Sequence, residues 1–145
     1  MIRPATRDDS RAVKELFQDL VGHPLSEADV VNRINYVRDS PIDSLFVYED
    51  NHNVHGLLAF RIRENIEENS RFGEISVIVV QSESRKMGIG TQLMQYAEQL
   101  AREHRCIGTW LVSGFGREEQ AHPFYQGLGY HITGHRFVKR FDEQV

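Results

Sequence analysis

Seven consecutive residues, Arg85, Lys86, Met87, Gly88, Ile89, Gly90 and Thr91, put two cations and two glycines at the start of a helix-like stretch. That combination suits the holding of an anion. Glycine lets a ligand come close to the backbone, and the first N–H groups of a helix, unpartnered within it, offer positive partial charge. Two common phosphate loops do not fit: Leu93 stands where GxGxxG needs its third glycine, and GxxxxGK[ST] occurs nowhere. What remains is RxxGxG between an apolar run, Ile75 to Val80, and an amphipathic helix.

Other residues able to do chemistry are more scattered. Glu74 opens the apolar run, with Glu67, Glu68 and Glu118 as further carboxylates. The seven histidines include the pairs His52 with His55 and His131 with His135. Neither pair lies on an expected helix at ligand spacing, and no second cysteine or carboxylate cluster joins them, so no metal is expected. The lone Cys106 excludes an internal disulfide framework and fits a reducing, cytoplasmic setting. Followed by apolar and β-prone residues, it is expected to be a buried small hydrophobe.

The elements that would position these groups are legible from periodicity. Ile2 to Ala5 is extended, and Thr6 with Asp9 forms a capping-box-like pair. Val13, Leu16, Phe17 and Leu20 then mark one helix face ending near Gly22. Ser26 and Asp29 start a second helix, carried by Val30, Ile34 and Val37 and stopped by Pro41. Strands are expected over 45–48, 54–63 and 71–80, with turns at 49–53 and 64–70. Beyond the glycine turn, a helix runs to about His104, followed by a strand over 107–112 and a helix over 118–126. A terminal hairpin of 130–133 and 135–141 turns at Gly134. The order predicts an α/β (α+β) fold with a mixed, mostly antiparallel sheet of about six to seven strands and about four helices. The strand, helix, strand step should be a right-handed crossover.

The 145 residues suit one domain, 1–145. A net charge of −4 argues against a general nucleic-acid binder, and no apolar stretch is long enough to suggest a membrane span or a leader.

Further along stands Ala121, His122, Pro123, Phe124, Tyr125, Gln126, Gly127, Leu128, Gly129, Tyr130. Together with RxxGxG, this segment resembles the GNAT superfamily of acetyl-CoA-dependent N-acetyltransferases, whose second signature runs Ala, two residues, Phe-Tyr, three residues, Gly-Tyr. Arg3-Pro4-Ala5-Thr6 and Gly56 also match the family's opening and its early strand. Gly73-Glu74-Ile75 and the Ala-His-x-Phe-Tyr segment are similar to bacterial enzymes acting on small amines, such as aminoalkylphosphonate and aminoglycoside 6′ acetyltransferases. One departure is Glu118, where many members carry Asn.

The resemblance implies acetyl-CoA as co-substrate. Backbone N–H groups of Met87, Gly88, Ile89, Gly90 and Thr91 would meet its pyrophosphate, with Arg85 and Lys86 adding charge. Ile78, Val79 and Val80 would bond the pantetheine arm, and Ala121 and Phe124 would help close the site. Glu74 would act as base, directly or through water, and Tyr125 as the acid for the departing thiolate. The acceptor would be the primary amine of a small molecule, attacking in a ternary complex. Cys106, the only thiol, precedes an expected buried strand away from both motifs, which argues against a covalent, ping-pong path. Glu27, Asp29, Glu67 and Glu68 hint at a cationic acceptor. The alternatives are a non-catalytic acyl-CoA-binding module and a peptide or protein N-acetyltransferase. Relatives often form homodimers.

Overall fold

A computed structural model describes residues 1–113 and 118–142. The chain divides into two compact units, Met1–Leu111 and Val112–Val145. In the first, β1 (Ile2–Pro4), β2 (Asp43–Asp50), β3 (Asn53–Glu64), β4 (Arg71–Val80) and β5 (Thr109–Leu111) form one sheet in that order. All neighbours are antiparallel except β4 and β5, which are parallel. The helices are α1 (Ser10–Val21), α2 (Glu27–Asp39) and α3 (Ile89–Glu103).

Local chemistry explains the helix ends. Ser26 Oγ accepts the Asp29 N–H at 3.0 Å to cap α2, while Gly22, at φ 79°, ends α1 in the left-handed conformation. Before α1, the Asp9 carboxylate accepts the Thr6 N–H at 2.7 Å and both terminal nitrogens of Arg3 at 2.8 and 2.9 Å. Arg3 also donates to Glu49 at 2.8 Å, tying the chain start to β2.

These bonds hold the Asp9 and Glu49 carboxyls below their usual range, in each case chiefly through the hydrogen bond from Arg3. A depressed carboxyl stabilises the fold above its unfolded pKa and loses that contribution as pH falls through the folded value, so acid unfolding should set in below about pH 4. Asp9→Asn should flatten that limb and cost about 2 kcal/mol at neutral pH. Urea titrations at several pH values measure both.

Each sheet face carries its own core. Val13 and Leu16 of α1 and Val30 and Ile34 of α2 pack with Leu45, Val47, Leu57 and Val79 on one face. On the other stand Phe46, Phe60 and Ile75 and the buried side of α3, Ile89, Leu93, Met94, Ala97 and Ala101. Phe46 meets Tyr96 of α3 edge to face at 4.9 Å between ring centres. Small residues set the spacing of α3. A Cβ on Gly56 would lie 3.1 Å from both Ile89 and Leu93, and one on Gly73 would lie 2.6 Å from the ring of Phe60, itself 2% exposed. Gly73→Ala should therefore cost about 3 kcal/mol through overpacking, read as a lowered urea midpoint.

Two β-bulges reset the alternation of side chains. Ala59 pairs with Val77 and Phe60 with Ile75, leaving Ser76 as an extra residue in β4. Tyr48 pairs with Gly56 and Glu49 with Val54, leaving His55 extra in β3. Because side chains alternate along a strand, one extra residue moves those beyond it to the opposite face. Gly73 and Ile75 thus face α3, whereas Val77 and Val79 face α1 and α2, the face shared by Glu74.

The second unit contains α4 (Glu118–Gly127), closed by bonds from the Leu128 and Tyr130 N–H groups to the Tyr125 carbonyl at 3.0 and 3.1 Å. Gly129 supplies the left-handed turn at φ 94°. The expected terminal hairpin is absent: residues 130–140 belong to no strand or helix. Alternating apolar residues suit a ladder but do not supply the neighbour that must take the backbone bonds. The sheet accordingly has five strands among the described residues rather than six to seven. β5 is also shorter than expected, with Ile107 and Val112 exposed at its flanks.

Candidate active site

β4 runs into the glycine turn, and its two halves differ. Only Gly73, Glu74 and Ile75 pair with β5, so from Ser76 to Val80 one strand edge has no strand partner among the described residues. The Gln81 N–H donates to His55 on the β3 side at 2.8 Å. By alternation, the N–H and C=O groups of Ile78 and Val80 point to the open edge. Arg85 Nε donates to the Val80 carbonyl at 3.3 Å from that side. An extended amide-bearing chain could add along this edge as a further strand would.

Where the edge stops, the turn begins. A short 3-10 segment, Ser82–Ser84, leads through Lys86, at φ 72°, to Gly88, at φ 79°. Gly88 is the residue preceding α3, and no side chain caps that helix. Its first internal bond is from the Gln92 N–H to the Gly88 carbonyl at 3.1 Å. The N–H groups of Ile89, Gly90 and Thr91 therefore precede that first bond at the positive end of the helix dipole, beside the exposed Arg85 and Lys86. This geometry fits a phosphate or pyrophosphate.

The other end of β4 carries the candidate base. Glu74 is half-buried, opposite Arg61 on β3 and Trp110 on β5, and accepts the Ser76 hydroxyl at 3.1 Å. Arg61 is held by Asp43 through bonds of 2.8 and 3.0 Å, which keep the Asp43 carboxyl below its usual range. Arg63, two residues along, stands over the Trp110 ring at 5.5 Å. The row Asp43, Arg61, Glu74, Trp110 thus crosses the sheet with Arg63 at its margin, a setting able to hold a polar acceptor near a carboxylate.

The other expected site residues divide clearly. Ala121, Phe124 and Tyr125 lie on α4, in the second unit, where Phe124 and Tyr125 pack edge to face at 5.1 Å. Glu118 is in the first turn of that helix. Among the acidic hints, Glu27 accepts the Ser10 hydroxyl and Glu68 that of Ser70, both at 2.9 Å, and Asp29 lies in the capped start of α2. The first of these bonds joins α1 to α2, and the second lies within the turn before β4. An open cleft of about 300 Å³ beside the turn is lined partly by Glu15, Asp19 and Glu83, a poor match for an anion.

Cys106 is half-buried rather than fully buried, in the connection between α3 and β5, and burial pushes its thiol up, away from the nucleophilic thiolate. Among the described residues, no cluster of three His, Cys, Asp or Glu side chains could hold a metal, and no helix is long and apolar enough to cross a membrane. His55, in sequence one of a histidine pair without ligand spacing, lies beneath the glycine turn, bonded to Ser84 and Gln81.

An open strand edge leading into an uncapped helix through a glycine turn, on a mixed sheet of this order, is the architecture of a GNAT acetyltransferase. The chain belongs to the Acetyltransferase (GNAT) family, whose model matches residues 10–130. It is similar to the aminoalkylphosphonate N-acetyltransferase of Salmonella typhimurium, 33% identical over 89 residues. That match covers 61% of this chain and 57% of the relative, so it spans little more than half the relative's length. Among solved structures, a transcriptional regulator from Bacillus halodurans superposes with a TM-score of 0.89 at 21% identity, covering 97% of this chain and 99% of that one. The aminoglycoside N-acetyltransferase AAC(6')-Iy in complex with CoA gives 0.82 at 16% identity, covering 98% and 94%. At such identities these two establish the shared fold.

Proposed function

We propose that the protein transfers the acetyl group of acetyl-CoA to the primary amine of a small molecule, by direct attack in a ternary complex. The observation that carries this reading is the junction where the edge of β4 that lacks a strand partner among the described residues meets the start of α3, which no side chain caps. Ile78 to Val80 would bond the amide-bearing arm, and residues 87–91 the pyrophosphate. The amine nitrogen attacks the thioester carbonyl, the C–S bond breaks, Glu74 takes the amine proton, and the thiolate gains one from Tyr125. Tyr125 holds that role on its motif alone. The family match running through both units supports reading them as one acetyltransferase domain.

For the acceptor, the aminoalkylphosphonate relative suggests an amine that also bears an anion. Arg63, above Trp110 on the face of Glu74, gives such an anion a cation to pair with. The test is thiol release from acetyl-CoA with a panel containing an aminoalkylphosphonate, an aminoglycoside and a peptide amine. Acceptor-dependent release is expected, strongest with the aminoalkylphosphonate. Coenzyme binding without acceptor-dependent release would favour the non-catalytic module. A cytoplasmic setting and a homodimer accompany this reading, and gel filtration addresses the latter.

A further inference from the structure

Beneath the glycine turn lies a closed polar network that the transfer reaction does not use. His55 is the extra residue of the β3 bulge, and its backbone carbonyl accepts the Gln81 N–H at 2.8 Å. Its Nδ1 lies 2.9 Å from Ser84 Oγ and 3.2 Å from Gln81 Oε1. Ser84 Oγ donates to Gln81 Oε1 at 3.4 Å, and the Ser84 N–H donates to the Gln81 carbonyl at 2.9 Å. In the tautomer with hydrogen on Nδ1, the ring donates to both oxygens and the serine hydroxyl to the amide, so these donors all find acceptors.

We infer that His55 is a positioning residue for the coenzyme loop, fixing through Ser84 and Gln81 the path by which the chain leaves β4 and reaches the start of α3. The inference rests on the acetyl-CoA reading of that turn. Three observations carry it. Ser84 is only 5% exposed although it sits in a turn whose next four residues, Arg85 to Gly88, are all exposed. The bulge re-aims the His55 side chain, which a regular strand would have committed to alternation. The network also grips the turn just before Lys86 and Gly88, whose left-handed backbone leaves the path otherwise weakly determined.

An anion cradle made of backbone N–H groups works only if they are aimed in advance, so loosening the turn should weaken coenzyme binding more than turnover. His55→Leu and Ser84→Ala should each raise the acetyl-CoA Kd in calorimetry about tenfold, the size of one lost buried hydrogen bond. His55→Asn, which keeps an N–H donor at the δ position, should stay within about threefold of the parent protein by the same measure. Turnover at saturating acetyl-CoA should change little.

Hydrogen exchange of amides 84–88 in the free protein reads the positioning directly and should accelerate in His55→Leu and in Ser84→Ala. An unchanged Kd or unchanged exchange in these variants overturns the inference, as does an Asn variant as weak as Leu. If His55→Leu does not fold, Ser84→Ala decides by the same two measurements. If the parent protein itself fails to bind acetyl-CoA, the acetyl-CoA reading falls, and exchange alone decides whether His55 holds the turn.

Discussion

Glu74→Gln is expected to lower turnover about a hundredfold or more, the usual contribution of a positioned general base. Glutamine preserves the shape and can still accept the Ser76 hydroxyl, so the urea midpoint and the acetyl-CoA affinity should stay at parental values. What disappears is a site for the proton of the attacking amine. Steady-state rates with the best acceptor, measured from mildly acidic to alkaline pH, separate the outcomes. Parental turnover throughout that range would remove Glu74 from the mechanism and leave water as the proton acceptor.

Gly90→Val should be the most damaging change at the turn, weakening acetyl-CoA binding at least a hundredfold, or about 2.7 kcal/mol. Gly90 has no positive φ and lies within the first turn of α3, so valine meets no backbone strain there. Stability should hold, since glycine inside a helix is itself unfavourable. Its branched side chain would instead crowd the approach to the N–H groups at the helix start. Gly88→Val is the contrasting control. At φ 79° a β-branched residue is strained, so that variant should lose both binding and stability. Calorimetry with acetyl-CoA alongside urea unfolding distinguishes a blocked cradle from a damaged fold. Unimpaired binding by Gly90→Val would refute the assignment of the loop.

Much of this architecture is legible in residue order because periodicity and punctuation agree. Val13, Leu16 and Phe17 give the face of α1, Ser26 and Asp29 the start of α2, and the glycines at 88 and 90 the entry to α3. The bulges were not legible. Nothing about Ser76 or His55 as residue types marks an inserted position, since a bulge is a property of two paired strands. Its consequences, Glu74 sharing a face with Val77 and His55 turned beneath the loop, follow from register. The terminal hairpin that the pattern predicts does not form for a related reason: a ladder needs a partner as well as a pattern. The structural partners of two acidic residues were equally invisible, because a carboxylate bonded to Ser10 or Ser70 looks, in sequence, like one awaiting a substrate.

The edge of β4 from Ser76 to Val80, which has no strand partner among the described residues, has a cost outside the reaction. A row of strand groups without a neighbouring strand is a template for any extended chain, including another copy of the same strand. Apolar residues dominate this stretch, Val77 to Val80, with no proline or charge to repel a like strand. In the acetyl-CoA reading, the small molecule that the enzyme consumes would also shield this edge. Concentrated preparations without it should then become turbid on warming sooner than those supplied with it, and ligand supply would govern shelf life as well as rate.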